Sequence, residues 1–293
     1  MNTLIVILAI AVLLGNSALA FDKSSVQQIA VIGEAGRYTF QQYAARKGLS
    51  ASVIANRYAS TGIIVCGNMQ ASAQLTGASN IITTSAHVFE DEKTCTVVAT
   101  PSECVFKISV GTKLLNYKVA ARAATGFTCP NNAEIKAGDD WAIVRLEKSV
   151  QGVTPYKLPS EGSVLEPDEK VVAVAGASYD FFVTDRSRNK IFPRTIEDCR
   201  VSDIRWVSGN GAFVKTDCDG SLYSSGGSLL RPLHDGDVLI GIFKGTPESR
   251  EMADEALKEN RFNQRIYNVR DWYSIYVSVA GRFLKSLDSA VRY

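Results

Sequence analysis

The chain has 293 residues, 46% of them hydrophobic and 21% charged, with 32 basic against 30 acidic side chains and a formal charge of +2. That composition belongs to a globular protein with a sizeable core and excludes disordered, collagen-like and low-complexity chains. The near-balance of charge gives no electrostatic reason to expect nucleic acid as a partner.

Residues 4–14 form an unbroken apolar run, followed by Gly15-Asn16-Ser17 and the small-residue pattern Ala18-Leu19-Ala20. This predicts a signal peptide over 1–20, cleaved before Phe21. The run falls short of the roughly 20 apolar residues that span a bilayer, and no later stretch approaches that length, so no membrane anchor is expected after cleavage. The expected location is secreted or periplasmic. Residues 21–60 read as a propeptide, an ordered N-terminal extension or a small helical cap around 40–47.

An oxidising compartment predicts that the six cysteines form three bridges. Sequence proximity suggests Cys95–Cys104 and Cys199–Cys218, which leaves Cys66–Cys129. The spacing lacks any C-x-x-C and the chain has only two histidines, so a structural zinc site is not expected.

From about residue 60 onward, short segments rich in Val, Ile, Thr and aromatics alternate with Gly, Asn, Asp, Ser and Pro. They fall at 62–66, 80–84, 96–99, 105–110, 117–121, 141–146, 171–175, 212–216 and 238–243, and suit pleated, half-buried strands. No strand-then-helix rhythm appears, so an all-β chain of antiparallel barrel or sandwich type is expected. Residues 148–170 carry three of the eight prolines and little strand pattern. They mark a connection, over 151–170, between two all-β halves at 61–150 and 171–270. Two segments read as helical, 247–263 and 271–287. In the second, Trp272, Tyr276, Val279, Phe283 and Leu287 share one helical face, giving a C-terminal helix and tail over 271–293.

Three stretches carry chemistry. In Thr83-Thr84-Ser85-Ala86-His87, a β-branched strand ends in small side chains beside an imidazole. In Asp139-Asp140-Trp141-Ala142, a carboxylate heads an apolar strand. In Asp219-Gly220-Ser221-Leu222-Tyr223-Ser224-Ser225-Gly226-Gly227-Ser228-Leu229, a serine lies on a glycine-rich turn. A serine hydroxyl needs an imidazole to take its proton during attack and return it to the leaving group. A carboxylate must in turn fix the imidazole's tautomer and stabilise its charged form.

These motifs, in the order His, Asp, Ser, resemble the trypsin-like, chymotrypsin-fold serine peptidases, and their secreted bacterial branch in particular. Val171-Val172-Ala173-Val174-Ala175-Gly176 resembles the family's opening strand of the second barrel, and Leu239-Ile240-Gly241-Ile242 the strand that follows the serine. The resemblance covers roughly residues 60–288. It implies two six-stranded antiparallel β-barrels with a C-terminal helix and a site in the crevice between them. It further implies His87 as general base and acid, Asp140 as its orienter, Ser225 as nucleophile, and the backbone N–H groups of Tyr223 and Ser225 as oxyanion donors. Asp219 takes the place of trypsin's specificity carboxylate, with Lys244 on the pocket-wall strand able to neutralise it.

The implied activity is that of a monomeric serine endopeptidase acting on protein or peptide substrates, with no metal or organic cofactor. Three departures bear on it. Tyr223 stands where the family has glycine, Ser224 stands where zymogen-activated members have aspartate, and no Ile-Val-Gly-Gly start is present. The alternative from another class is a catalytically silent homologue that uses the crevice to bind a partner protein.

Overall fold

A computed structural model describes residues 29–32, 35–92, 94–127, 137–163, 165–178, 181, 183–184, 188, 190–207, 211–221, 223–246, 265–267 and 273–293. The expected signal peptide, the helix at 247–263 and the pairing of Cys129 lie outside the described residues.

The N-terminal part runs through β1 (Ile29–Ile32), β2 (Tyr38–Thr39), α1 (Phe40–Arg46) and α2 (Ala51–Arg57). A capping box starts α1: the Thr39 hydroxyl accepts from Gln42 N–H, while the Gln42 side chain accepts from Thr39 N–H. Ser50 caps α2 by accepting from Val53 N–H. Phe40, Tyr43, Ala44 and Ile54 turn into the body of the protein. Of the three readings of residues 21–60, the helical cap around 40–47 has its helix in α1.

Six strands follow: β3 (Thr61–Cys66), β4 (Met69–Leu75), β5 (Ile81–Thr84), β6 (Cys104–Val110), β7 (Lys113–Thr125) and β8 (Ala142–Leu146). They close into an antiparallel barrel in the order β3-β4-β5-β8-β7-β6. Its interior is filled by Ile64, Leu75, Ile82, Phe106, Ile108 and Val144, each fully buried.

The second half comprises β9 (Lys170–Ala175), the small hairpin β10 (Val183–Thr184) and β11 (Lys190–Ile191), β12 (Thr195–Val207), β13 (Gly211–Thr216), β14 (Gly220–Ser221), β15 (Ser228–Arg231), β16 (Val238–Gly245), β17 (Arg265–Tyr267) and β18 (Ser274–Ser278). The order β13-β18-β16-β15-β9-β12 closes through pairing of β12 with β13, and β2 extends the sheet along β12. A separate three-stranded sheet places β1 between β14 and β17. The architecture is thus two closed six-stranded antiparallel barrels. They meet closely at Gly176, where a Cβ would stand 1.7 Å from the Gly62 carbonyl oxygen and only glycine fits.

The C-terminal helix α3 spans Gly281–Arg292. It returns to the first barrel, where Phe283 stacks on Trp141 with ring centroids 4.8 Å apart and Arg145 donates to the Ala290 carbonyl at 2.7 Å. The helix expected over 271–287 is corrected accordingly. Tyr276 belongs to β18, whose cross-strand partners on β13 and β16 hold it extended; Trp272 lies outside the described residues, and of the described members of that face Phe283 and Leu287 are helical. The strand expected at 96–99 amounts to one isolated bridge between Glu90 and Val97.

Cysteine pairing also departs from sequence proximity. Cys66 and Cys104 are directly opposed on β3 and β6, with Cα atoms 4.2 Å apart, and form a disulfide. The expected Cys95–Cys104 and Cys66–Cys129 bridges are both excluded by it. Barrel register, and not distance along the chain, brings the two thiols together. Cys199–Cys218 forms as expected, and Cys95 is also disulfide-bonded.

Candidate active site

His87 lies in a short 3₁₀ turn, Ala86–Val88, directly after β5, and Asp140 immediately precedes Trp141 and β8. These strands are paired neighbours, with Thr84 opposite Ala142, so both residues emerge at one end of the first barrel. Asp140 is fully buried. One carboxylate oxygen accepts the His87 backbone N–H at 3.0 Å, and the other lies 2.8 Å from the imidazole Nδ1. This double contact fixes the ring's orientation and leaves Nε2 to act elsewhere. The His87 side chain keeps 28% of its surface exposed, enough for a substrate to reach it.

Charge and burial oppose each other at this pair. Burial alone would raise the Asp140 carboxyl, but the His87 charge and hydrogen bonds, helped by Lys244, hold it down at about 2. Burial likewise works against the His87 imidazolium, and the Asp140 carboxylate outweighs it, so the imidazole titrates above its ordinary value. Lys244 on β16 reaches across from the second barrel, with its Nζ 3.7 Å from Asp140 and 2.5 Å from Glu92.

Ser225 lies on the turn between β14 and β15 and is partly exposed, whereas Ser224 is buried. The Ser225 carbonyl accepts Ser72 N–H at 2.8 Å, so the serine turn is fastened to β4 of the first barrel. Gly226 follows with φ +78°, and a Cβ there would meet the Ser72 carbonyl oxygen at 2.3 Å. Its N–H donates to the Phe243 carbonyl at 2.7 Å, which also accepts the Ser85 hydroxyl at 3.0 Å. Ser85 stands two residues before His87, so these bonds draw the serine turn and the imidazole segment together. Among the described residues no hydrogen bond joins Ser225 Oγ to the imidazole. Tyr223 is held at φ +71°, a left-handed conformation that glycine adopts freely and tyrosine does not.

No protein-family model and no curated protein matches the chain. Solved structures do. A Glu endopeptidase in complex with MPD aligns with a TM-score of 0.59 at 14% identity, covering 90% of this chain and 100% of that one. Neuropsin, a serine protease expressed in the limbic system of mouse brain, aligns with a TM-score of 0.50 at 14% identity, covering 80% of this chain and 95% of that one. The chain has the chymotrypsin fold. At this level of identity the likeness concerns the path of the backbone.

Within that fold, Asp219 does not stand open as a specificity carboxylate. It is 5% exposed, and its two oxygens accept the Ile32 N–H at 2.8 Å and the Gly36 N–H at 3.1 Å. The N-terminal segment therefore covers it, with β1 antiparallel to β14 at Ile29–Ser221 and Ala30–Gly220. Lys244 sits on Asp140 and Glu92, which corrects the expectation that it neutralises Asp219.

Sequence reasoning missed Glu197, which accepts the Asp219 N–H at 2.8 Å. Burial first, and the Asp219 carboxylate second, push its carboxyl well above the usual range. It also missed Ser72, whose hydroxyl donates to the Tyr223 carbonyl at 2.9 Å. No motif marks either residue; both owe their place to pairings between distant strands. His234 occupies the turn between β15 and β16, as its Pro, Asp and Gly neighbours predict.

Proposed function

We propose that this protein is an exported serine endopeptidase of the secreted bacterial type, hydrolysing peptide bonds through an acyl-enzyme. The buried Asp140 clasping His87 at both its backbone and ring nitrogens carries the reading. In it, His87 takes the proton of Ser225 Oγ as the hydroxyl attacks the scissile carbonyl, then returns it to the departing amine. Asp140 stabilises the imidazolium formed in between. The backbone N–H groups of Ser225 and Tyr223 receive the charge that develops on the carbonyl oxygen. Water, deprotonated by His87, then attacks the acyl-enzyme, and the proton passes to Ser225 Oγ as the acid product leaves, so the reaction needs this chain, its protein or peptide substrate and solvent water.

Because Asp219 is engaged by Ile32 and Gly36, a basic residue beside the scissile bond is not part of the proposal. Monomeric action and an oxidising location after removal of residues 1–20 belong to the reading, and the disulfides support the latter. No helix among the described residues is long and apolar enough to cross a membrane.

The deciding experiment is intact-mass detection of a fluorophosphonate adduct on folded, oxidised protein, with Ser225→Ala as control. A single adduct that the substitution abolishes is the expected result, because only an activated serine beside oxyanion donors reacts readily. The second reading, a silent homologue that binds a partner, is favoured by the missing Ser225–His87 hydrogen bond among the described residues and by Tyr223. Folded protein that takes up no probe would count against an enzyme active as it stands and move the weight to the silent homologue or to an enzyme masked by its N-terminal segment.

A further inference from the structure

A tyrosine at φ +71° needs something to hold it, since a Cβ crowds the carbonyl in the left-handed region. The restraint comes from the other barrel. Ser72 on β4 is fully buried, and its hydroxyl donates to the Tyr223 carbonyl at 2.9 Å while accepting the Gly176 N–H at 2.9 Å. The backbone N–H of Gly176 can only donate and the carbonyl of Tyr223 can only accept. The hydroxyl proton is therefore committed to Tyr223.

The backbone of Ser72 is equally engaged. Its N–H donates to the Ser225 carbonyl at 2.8 Å, and its own carbonyl accepts the Thr84 hydroxyl at 2.7 Å. One residue thus grips the serine turn at two carbonyls, one before Ser224 and one after it. The Phe192 ring adds an edge-on contact to the Tyr223 ring, with centroids 5.0 Å apart.

We infer that the Ser72 hydroxyl is a positioning residue for the oxyanion turn, holding Tyr223 in the left-handed conformation that aims its backbone N–H. The inference rests on Ser225 being the nucleophile. With the Tyr223 carbonyl fixed against Ser72, rotation about N–Cα decides where the N–H points. Loss of the hydroxyl frees the peptide to leave a region that only glycine occupies without strain. The Ser72 hydroxyl touches no reacting atom, so its effect on the reaction passes through Tyr223, while its hold on the Gly176 N–H is the same whatever residue stands at 223.

The test is a double-mutant cycle of Ser72→Ala and Tyr223→Gly, read by fluorophosphonate labelling rate and by kcat and KM on a peptide ester. Ser72→Ala is expected to lower kcat and labelling about tenfold or more, with KM nearly unchanged, because an oxyanion donor acts in the transition state. In the Tyr223→Gly background the same substitution is expected to cost less than roughly threefold, since glycine holds the conformation unaided. Equal losses in both backgrounds, no loss, or a loss carried by KM would overturn the inference.

Should Ser72→Ala fail to melt cooperatively, Ser72→Gly takes its place. Folding of either variant only when Tyr223→Gly is also present supports the inference, and failure in both backgrounds overturns it. A folded wild-type protein that takes up no probe overturns the reading of an enzyme active as it stands, and this inference with it. A reactive wild type that is indifferent to Ser72 overturns this inference alone.

Discussion

The two barrels close in the same way but are buried differently. The first fills one interior, and although its Ile81 and Ile143 join the cluster of the second, its long strand β7 leaves Leu114 63% exposed. The second is covered on both faces. Along β9, Val171 and Ala173 enter one apolar cluster, while Val172 and Val174 enter another that includes Phe40, Tyr43, Ile54 and Tyr58 from the N-terminal segment. Polar contacts fasten the same segment: Arg57 makes two hydrogen bonds to the buried Asp237, at 3.0 and 2.7 Å, and the Tyr43 hydroxyl donates to Asp198 at 2.6 Å. The barrel that carries the histidine–aspartate pair closes over its own interior and adds Ile81, Trp141 and Ile143 to the cluster that the N-terminal segment completes. The barrel that carries the serine is finished by chain that precedes both.

Deleting residues 21–60 is the most severe way to break this asymmetry. Burial of Phe40, Tyr43, Ile54 and Tyr58 contributes roughly 1.5–3 kcal/mol for each side chain. Their combined loss rivals the whole stability of a typical domain, about 5–15 kcal/mol. The truncated chain is expected to yield no cooperative melt by circular dichroism. A truncated protein that melts like the full chain would show that residues 21–60 are a removable propeptide, and that the second barrel is as independent as the first.

A smaller loss is expected from Phe283→Ala in α3. Phe283 is 1% exposed and stacks on Trp141, the residue after Asp140. Truncating a buried phenylalanine typically costs about 3–5 kcal/mol. Here the cost should fall on the first barrel, appearing as a lower Tm together with slower fluorophosphonate labelling as Asp140 loses its support. An unchanged labelling rate in the destabilised variant would separate α3 from the site.

The disulfides allow a finer comparison. Replacing Cys66 and Cys104 together by serine is expected to cost about 2–4 kcal/mol, as is the same change at Cys199 and Cys218. The first bridge closes a separation of 38 residues and the second one of 19. Each doubling of loop length adds only about 0.6 kcal/mol, so the first-barrel pair should cost slightly more in denaturant titration. The reverse order would mean that strain or residual structure in the unfolded chain decides the balance.

How much of this was legible in the sequence follows from how each element is built. Strands with a continuous β-branched or apolar run, such as β5, β8, β9 and β16, announce themselves, because tertiary burial agrees with local propensity. The strand β4 reads Met-Gln-Ala-Ser-Ala-Gln-Leu and does not. Of its small residues, Ala71 and Ala73 fill the barrel interior, while Ser72 meets the serine turn, a demand made by a residue over 150 positions away at Tyr223. The polar start of β12, Thr-Ile-Glu-Asp-Cys-Arg, is equally mute, and its Glu197 is buried by the same N-terminal segment that covers Asp219. His87 and Asp140 were legible because their motifs are local. The engagement of Asp219 was not, since it depends on Ile32 and Gly36 folding back across more than 180 residues.

The smallest expected effect concerns a charge that one barrel places on the other. The groups facing the His87 imidazole are Asp140 and Glu92, which favour its charged form, and Lys244, which opposes it. Because the imidazolium is favoured in the folded state, it contributes stability in full below the ordinary value of 6.5, and that contribution is lost as pH rises through the higher folded value. Activity runs the other way, since a general base must be neutral, so kcat/KM should rise over the same interval above 6.5. Lys244→Met removes the opposing cation and should move the acid limb to higher pH, whereas Glu92→Gln should move it to lower pH. Partly exposed ion pairs are worth about 0.2–1 kcal/mol, so below the limb the rates should change by roughly 1.5- to 5-fold in opposite senses. A pH–rate profile of both variants checks the signs. Shifts in the same direction would mean that the Lys244–Glu92 pair acts on the imidazole through packing across the crevice and not through charge.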